Sequence, residues 1–234
     1  MVDEIVCRAK TDGTYDSVRV FGVTLEQQFA DDQKYGVLKP KNGVLKYIIL
    51  NNDEEITEKQ TKRAVSMALF GWRMHVPIKF RRVKNRIEAD ITVQFNSEEQ
   101  DSLLDKNTLA YMYYPLGGIN NGKCVVNKRF YWTNHGNGID MHKIDPIHYP
   151  VPRTTNPMGK TWDLDKVLRH EFGHGVFGLP HSQSEARIMS AGESYMAEHF
   201  HQEDILRAQN KAGIATGMLH RLKQLTGWYK IRSD

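Results

Sequence analysis

The 234-residue chain reads as one domain that holds both strands and helices, the α+β class. Three observations predict it. Hydrophobic residues make up 40% of the chain, enough at this length to bury one good core and leave room for small appendages. An apolar alternation at Val18-Arg19-Val20-Phe21-Gly22-Val23 suits a strand. Leu164, Val167, Leu168, Phe172 and Val176 then follow the 3.6-residue spacing of a buried amphipathic helix.

Residues 1–43 form an N-terminal extension or a short prosegment. The alternation at 18–23 suits a strand, 25–35 is polar with helical character, and 36–43 resembles a linker. Met1 to Asp12 is polar and charged, so no signal peptide is visible. The helix predicted around residues 164–176 has N-cap and first-turn residues in Thr161, Asp163 and Asp165. It carries His170-Glu171-Phe172-Gly173-His174, the H-E-x-x-H pattern. At 3.6 residues per turn, His170 and His174 lie one above the other, so both imidazoles can bind one zinc ion with Glu171 beside them. Gly178 can leave the helix through a left-handed residue and Pro180 cannot continue it, which lets His181 swing back toward the pair. Three protein ligands plus a water is the open coordination of a catalytic zinc. The bare motif is equally at home on a solvated helix face; the apolar spacing around it favours the metal reading.

The sequence H-E-F-G-H, then G-L-P-H-S, then Ile188-Met189-Ser190 resembles the metzincin zinc endopeptidases, and among them the matrixins, the matrix-metalloproteinase-like catalytic domains. The resemblance covers roughly residues 44–213 as an ordered series. Tyr47-Ile48-Ile49-Leu50 is similar to the family's first strand, and Thr61 to Trp72 to its long first helix. Ile78-Lys79-Phe80 matches the second strand, and Ala89 to Phe95 the A-D-I-x-I-x-F strand. Thr108 to Pro115 resembles the antiparallel edge strand that lines the cleft, and Gln202 onward the last helix after the methionine turn. The resemblance implies a twisted mixed sheet, an active-site helix, a Met-turn at Met189 and a C-terminal helix. It implies an endopeptidase that uses one catalytic zinc held by His170, His174 and His181. Zinc would acidify its water and polarise the scissile carbonyl, and Glu171 would serve as general base. A protein or peptide substrate would lie along Leu109, Ala110 and Tyr111 as an added antiparallel strand, with Tyr195 a candidate wall of the pocket beyond the scissile bond.

The zinc motif departs from the family by one residue: H-E-x-x-H-x-x-x-G-x-x-H in place of H-E-x-x-H-x-x-G-x-x-H. A bulge at the helix end, a turning role for Gly175 and a different third ligand are all compatible with it, and the His181-to-Met189 spacing keeps His181 as the ligand. Tyr111 and Cys124-Val125-Val126-Asn127 stand where the family's structural-zinc histidines are expected, so neither a structural zinc nor calcium sites carry over. Two cysteines, Cys7 and Cys124, permit one bridge, and Ile5-Val6-Cys7-Arg8-Ala9 lacks the Pro-Arg-Cys-Gly context of a zinc-binding prosegment cysteine.

Competing readings are a gluzincin-type peptidase using Glu193 as third ligand and a catalytically silent zinc-binding or structural module; the intact Glu171 speaks for an enzyme. The net charge of +4 is dispersed, and the cluster from Lys79 to Arg86 reads as a strand and turn with solvated faces, so nucleic-acid binding is not expected. No apolar run approaches the roughly 18 residues of a membrane span. The resemblance favours secretion, with association with a virus-like particle an alternative, and a monomer is expected. The stretch 134–160, rich in Gly, Pro, Asn and His, is long for a loop. Residues 214–234 form a tail with near-helical apolar spacing.

Overall fold

The computed structural model describes residues 6–10 (backbone only), 34–54, 56–134, 161–182, 187–190 and 200–213. The strand expected at 18–23, the long loop after 134, Glu193, Tyr195 and the tail after 213 lie outside the described residues, as does the helical segment expected at 25–35 except for Lys34 and Tyr35, which are not helical.

The sheet is built from six strands: β1 (Val6–Lys10), β2 (Val44–Ile49), β3 (Lys79–Arg82), β4 (Ile91–Asn96), β5 (Thr108–Tyr113) and β6 (Lys123–Asn127), in the order β1-β5-β6-β4-β2-β3. β3, β2, β4 and β6 run parallel, as the pairs Val44–Lys79, Tyr47–Ile91 and Val93–Cys124 illustrate. β5 is antiparallel to β6, with Ala110 opposite Val126, and antiparallel to β1 on its other side. The mixed sheet of the α+β class is therefore present. β5 is not the outermost strand, because β1 from the N-terminal region pairs along its outer edge. That pairing is long-range, and no local pattern announced it.

Alternation follows burial. Ile91, Val93 and Phe95 of β4 are buried while Thr92, Gln94 and Asn96 are half-buried. In β3 the basic residues Lys79, Arg81 and Arg82 are exposed, which suits its edge position.

Helix α1 (Glu58–Arg73) starts three residues before the segment recognised from sequence, because Thr57 and Gln60 form a capping box. The Thr57 hydroxyl accepts from the Gln60 N–H at 3.3 Å, and the Gln60 side chain accepts from the Thr57 N–H at 3.0 Å. Thr61, Ala64, Val65, Ala68, Leu69 and Trp72 form its buried stripe. Trp72 donates its indole N–H to the Arg169 carbonyl at 2.9 Å and so ties α1 to the second helix.

That second helix, α2 (Leu164–Phe177), is launched from a short parallel pair, β7 (Trp132–Thr133) with β8 (Trp162–Asp163). The Trp162 N–H donates to the Tyr131 carbonyl at 2.7 Å, so the two ends of the 134–160 excursion meet there. Asp163 caps the helix by accepting from the Asp165 N–H at 3.1 Å, and Asp165 pairs with Arg169 one turn on. Helix α3 (Gln202–Lys211) closes the domain.

The main core lies between sheet and helices, with Phe95, Met112, Phe130, Trp72, Phe172 and Phe177 among its members. A smaller cluster of Leu104, Tyr111, Tyr113 and Val125 covers the other face of β5 and β6, so β5 is buried on both faces. No helix of the described residues is long and apolar enough to cross a membrane.

Candidate metal centre

Helix geometry brings His170 and His174 together, and the end of the helix brings in His181. Gly178, the C-cap, has φ of 62° and ψ of 31°, the left-handed conformation that glycine adopts at no steric cost. Its N–H is shared between the Gly173 and His174 carbonyls, and the Leu179 N–H reaches back to Gly173 at 3.1 Å. Those bonds span one residue more than an ordinary cap. The extra residue of the motif is thus absorbed as a widened, π-like last turn, and the chain still turns at Gly178 rather than at Gly175.

The three Nε2 atoms form a near-equilateral triangle: 2.9 Å from His170 to His174, 3.1 Å from His170 to His181 and 3.2 Å from His174 to His181. His170 donates its Nδ1–H to the Ile188 carbonyl at 2.5 Å, and His174 faces the Leu179 carbonyl at 2.5 Å in the same way. A carbonyl can only accept, so Nδ1 carries the proton in both rings and each Nε2 presents a bare lone pair. Burial, first among the causes, holds the three imidazoles neutral, with His170 lowered to about 4 and His174 and His181 well below their ordinary value. Lone pairs converging at this distance repel unless a cation lies among them. A tetrahedral zinc with nitrogen ligands at about 2.0–2.1 Å needs nitrogens about 3.3 Å apart, so the donor set fits that ion. His170 and His174 are buried and His181 is partly exposed, which leaves the triad open on one side.

Beside the triad, Glu171 is fully buried, and neither carboxylate oxygen has a hydrogen-bond partner among the described residues. Burial pushes its pKa well up, while the nearby Met112 backbone amide, outside hydrogen-bond geometry, pulls weakly the other way. The buried Cys124 thiol is also raised, by burial first and by Glu171 second. A buried carboxylate with no protein partner is what a water or a polar ligand would complete.

Met189 packs against α2 at Gly173. Its sulfur would stand 2.1 Å from a Cβ on Gly173, so the helix admits the methionine only because Gly173 has no side chain. The turn is held by Ser182 N–H to Met189 O at 2.5 Å.

Along β5, Leu109, Ala110 and Tyr111 are all buried. The Tyr111 side chain points to the small cluster on the far face and donates its hydroxyl to Asp101 at 2.6 Å. The structure therefore gathers His170, Glu171, His174, His181 and Met189 in one place, with the β5 backbone alongside.

Residues 39–213 match the model of the matrixin family, Peptidase_M10. The chain belongs to the matrixin family. Over 158 residues it is 30% identical to matrix metalloproteinase-20 of Homo sapiens, covering 66% of this chain and 27% of that protein. Interstitial collagenase A of Mus musculus is 27% identical over 171 residues, covering 72% of this chain and 32% of the relative. Matrix metalloproteinase-18 of Xenopus laevis is 26% identical over 149 residues, covering 62% and 26%. The chain spans about a quarter to a third of the length of these relatives. By family it carries a zinc metalloendopeptidase domain.

Several residues of this matrixin domain that shape the site escaped sequence reasoning. Asp204 accepts from the Ile188 N–H at 3.1 Å, and Ile188 in turn holds His170 through its carbonyl. Arg207, fully buried, donates to the Pro180 carbonyl at 2.7 Å, one residue before His181. Arg187 pairs with Glu203 across the same interface. Helix α3 thus grips both ends of the loop that carries the third histidine. A signal existed: Asp204 and Arg207 sit three residues apart beside Ala208, the apolar side of the helix, where unpartnered charge would be costly. Tyr114, whose hydroxyl lies 3.1 Å from His174 Nδ1, had no such signal.

Proposed function

We propose that this matrixin domain is a zinc-dependent endopeptidase in which His170, His174 and His181 hold one catalytic zinc and Glu171 is the general base. The observation that carries it is the triangle of Nε2 lone pairs beside a buried carboxylate without a protein partner. When bound there, zinc supplies Lewis acidity, acidifying a water molecule and polarising a peptide carbonyl. Glu171 takes the proton of the attacking water and delivers it to the leaving amine. Its raised proton affinity suits a group that must hold that proton between the two transfers.

Ile188 and Leu179 carbonyls orient the imidazoles of His170 and His174, so the ligand set is preorganised. Substrate lies extended along β5, pairing its backbone with Leu109, Ala110 and Tyr111. Since the Tyr111 side chain is turned away, recognition at this strand rests on main-chain hydrogen bonds and tolerates varied sequences. The Nε2 of His181, within 3.2 Å of both other Nε2 atoms, supports the metzincin ligand set over one completed by Glu193.

The test is zinc content per chain and cleavage of a broad peptide library, for wild type and Glu171→Ala. One zinc in each with cleavage by wild type alone is the expected result. Zinc in both with equal cleavage would remove Glu171 from the reaction, and absence of zinc would end the peptidase reading.

A further inference from the structure

We propose that a hydrogen-bond lock of Tyr111, Asp101 and Asn127 takes the place of a structural metal in this domain. The lock fixes the 97–107 loop and the strand that follows it, so no ion is needed beyond the one at the histidine triad. Tyr111 and Val125 belong to the two stretches where the family's structural-zinc histidines are expected, and the side chains present do not fit that ion. Tyr111 stands opposite Val125 across the β5–β6 ladder and meets Asp101 from the loop. Val125 has no donor atom, and a protonated phenol is not among the thiolate, imidazole and carboxylate ligands that zinc takes. Burial first, and the hydrogen bond to Asp101 second, raise the Tyr111 pKa, so the phenol keeps its proton and serves as a donor. Among the described residues, the group of His, Cys, Asp or Glu side chains close enough to hold a metal is the triad.

The carboxylates of the loop are taken up by protein donors. Asp101 accepts from the Tyr111 hydroxyl at 2.6 Å, from the Leu103 N–H at 3.1 Å and from the Asn96 amide at 3.4 Å. Asp105 accepts from the Asn107 N–H at 2.9 Å and from the Thr108 hydroxyl at 2.7 Å. Glu98 pairs with Arg129 at 3.0 Å. Oxygens committed to separate donors do not converge on a cation, and calcium asks for about six to eight of them around one point.

Asn127 closes the other end of the loop. It is fully buried on β6, and its amide donates to the Asp105 carbonyl at 3.0 Å and to the Thr108 carbonyl at 2.8 Å. Its side-chain oxygen accepts from the Arg129 N–H at 2.9 Å. A structural metal ties a loop to a sheet by taking ligands from both. Here the Tyr111–Asp101 bond and the Asn127 amide make the same tie, and Leu103 and Leu104 pack over it beside Tyr111. β5 is therefore pinned at Thr108, where it leaves the loop, and again at Tyr111. Leu109 and Ala110 lie between the two pins, so the lock positions the backbone proposed to pair with substrate. That last role rests on the reading of β5 as the substrate strand; the lock itself does not.

The experiment takes the full chain as wild type, Tyr111→Phe, Asp101→Ala and the double variant, each with one equivalent of zinc and with excess zinc plus calcium. Three readouts are taken: bound metal by native mass spectrometry, hydrogen exchange at Leu104 and Thr108, and KM and kcat for an extended peptide. Wild type should hold one zinc even in excess, with the same loop exchange under both conditions. A second tightly held ion, or loop exchange slowed by the added metal, would overturn the lock as a metal's replacement. Exchange should be about tenfold faster in Tyr111→Phe, and no faster in the double variant than in Asp101→Ala, as one shared hydrogen bond requires. Unchanged exchange in Tyr111→Phe would show that the bond holds nothing, and a further acceleration in the double variant would overturn its pairing with Asp101. A displaced platform raises KM about threefold in Tyr111→Phe at unchanged kcat. Faster exchange at unchanged KM would overturn the positioning role. If no protein cleaves peptide, the endopeptidase reading fails, while metal count and exchange still decide the lock.

Discussion

At the scale of single residues, the site depends on atoms that are missing as much as on atoms that are present. Gly178 must be left-handed for the chain to reach His181, and a Cβ on it would stand 2.0 Å from the Gly36 carbonyl oxygen, a backbone atom that cannot easily yield. Gly178→Ala therefore combines left-handed strain of about 1 kcal/mol with a steric shift. The expected outcome is a loss of at least about 2 kcal/mol in urea unfolding and a weakened zinc affinity, read by competition with a chromogenic chelator. An unaltered affinity would mean that the His181 loop finds its place without this turn. The neutral imidazoles obey the same logic at the level of lone pairs. Two backbone carbonyls decide which nitrogen carries the proton, and that leaves the Nε2 atoms of His170 and His174 bare.

At the scale of elements, α3 has a role that its position after the site does not suggest. It reaches the Met-turn through Asp204 and the Pro180 carbonyl through Arg207, bracketing His181. Burial raises the Asp204 pKa to about 6 from 3.8, against the pull of Arg207 and Arg187. A carboxyl whose folded pKa lies above its unfolded one favours the protonated fold, so its contribution is greatest below about pH 4 and is lost as pH rises through about 6. Metal-free wild type should accordingly lose stability relative to Asp204→Asn between those values, with the difference level above pH 7. Denaturant titrations of both proteins at pH 4, 5, 6 and 7 measure this, and a difference independent of pH would show that folding leaves the Asp204 pKa unshifted. The widened last turn of α2 belongs to this scale too. One inserted residue changes the span of two hydrogen bonds and leaves the turning point at glycine, because a helix end can lengthen by a residue at lower cost than a sheet can change register.

At the scale of the whole molecule, the proposed zinc site would couple the metal to the fold. Its three histidines come from α2 and from the loop that α3 holds, so zinc bound there would cross-link these elements. Chelation should lower the thermal midpoint of the wild type, and the shift should grow with the zinc concentration restored, as mass action requires. Replacing His181 with alanine should abolish most of that shift, which calorimetry of both proteins with and without chelator would record. An equal shift in both would place the third ligand elsewhere. The pairing of β1 with β5 is a property of the same scale, joining residues about a hundred positions apart.

What the sequence by itself determined is local: the stacking of His170 and His174 on one helical face, the turn at Gly178, the alternating strand of β4 and the capping residues of α2. These follow from repeat lengths and from the conformations open to each residue, which the neighbouring few positions dictate. The class of fold and the family were legible because many such local patterns occur in one order along the chain. The tertiary structure alone decided the rest. The carbonyls of Ile188 and Leu179, the grip of Asp204 and Arg207, the orientation of Tyr111 away from the cleft and the occupation of the β5 edge by β1 join segments remote in sequence or depend on where backbone groups end up. No side-chain pattern encodes them locally, since backbone donors and acceptors are the same at nearly every position.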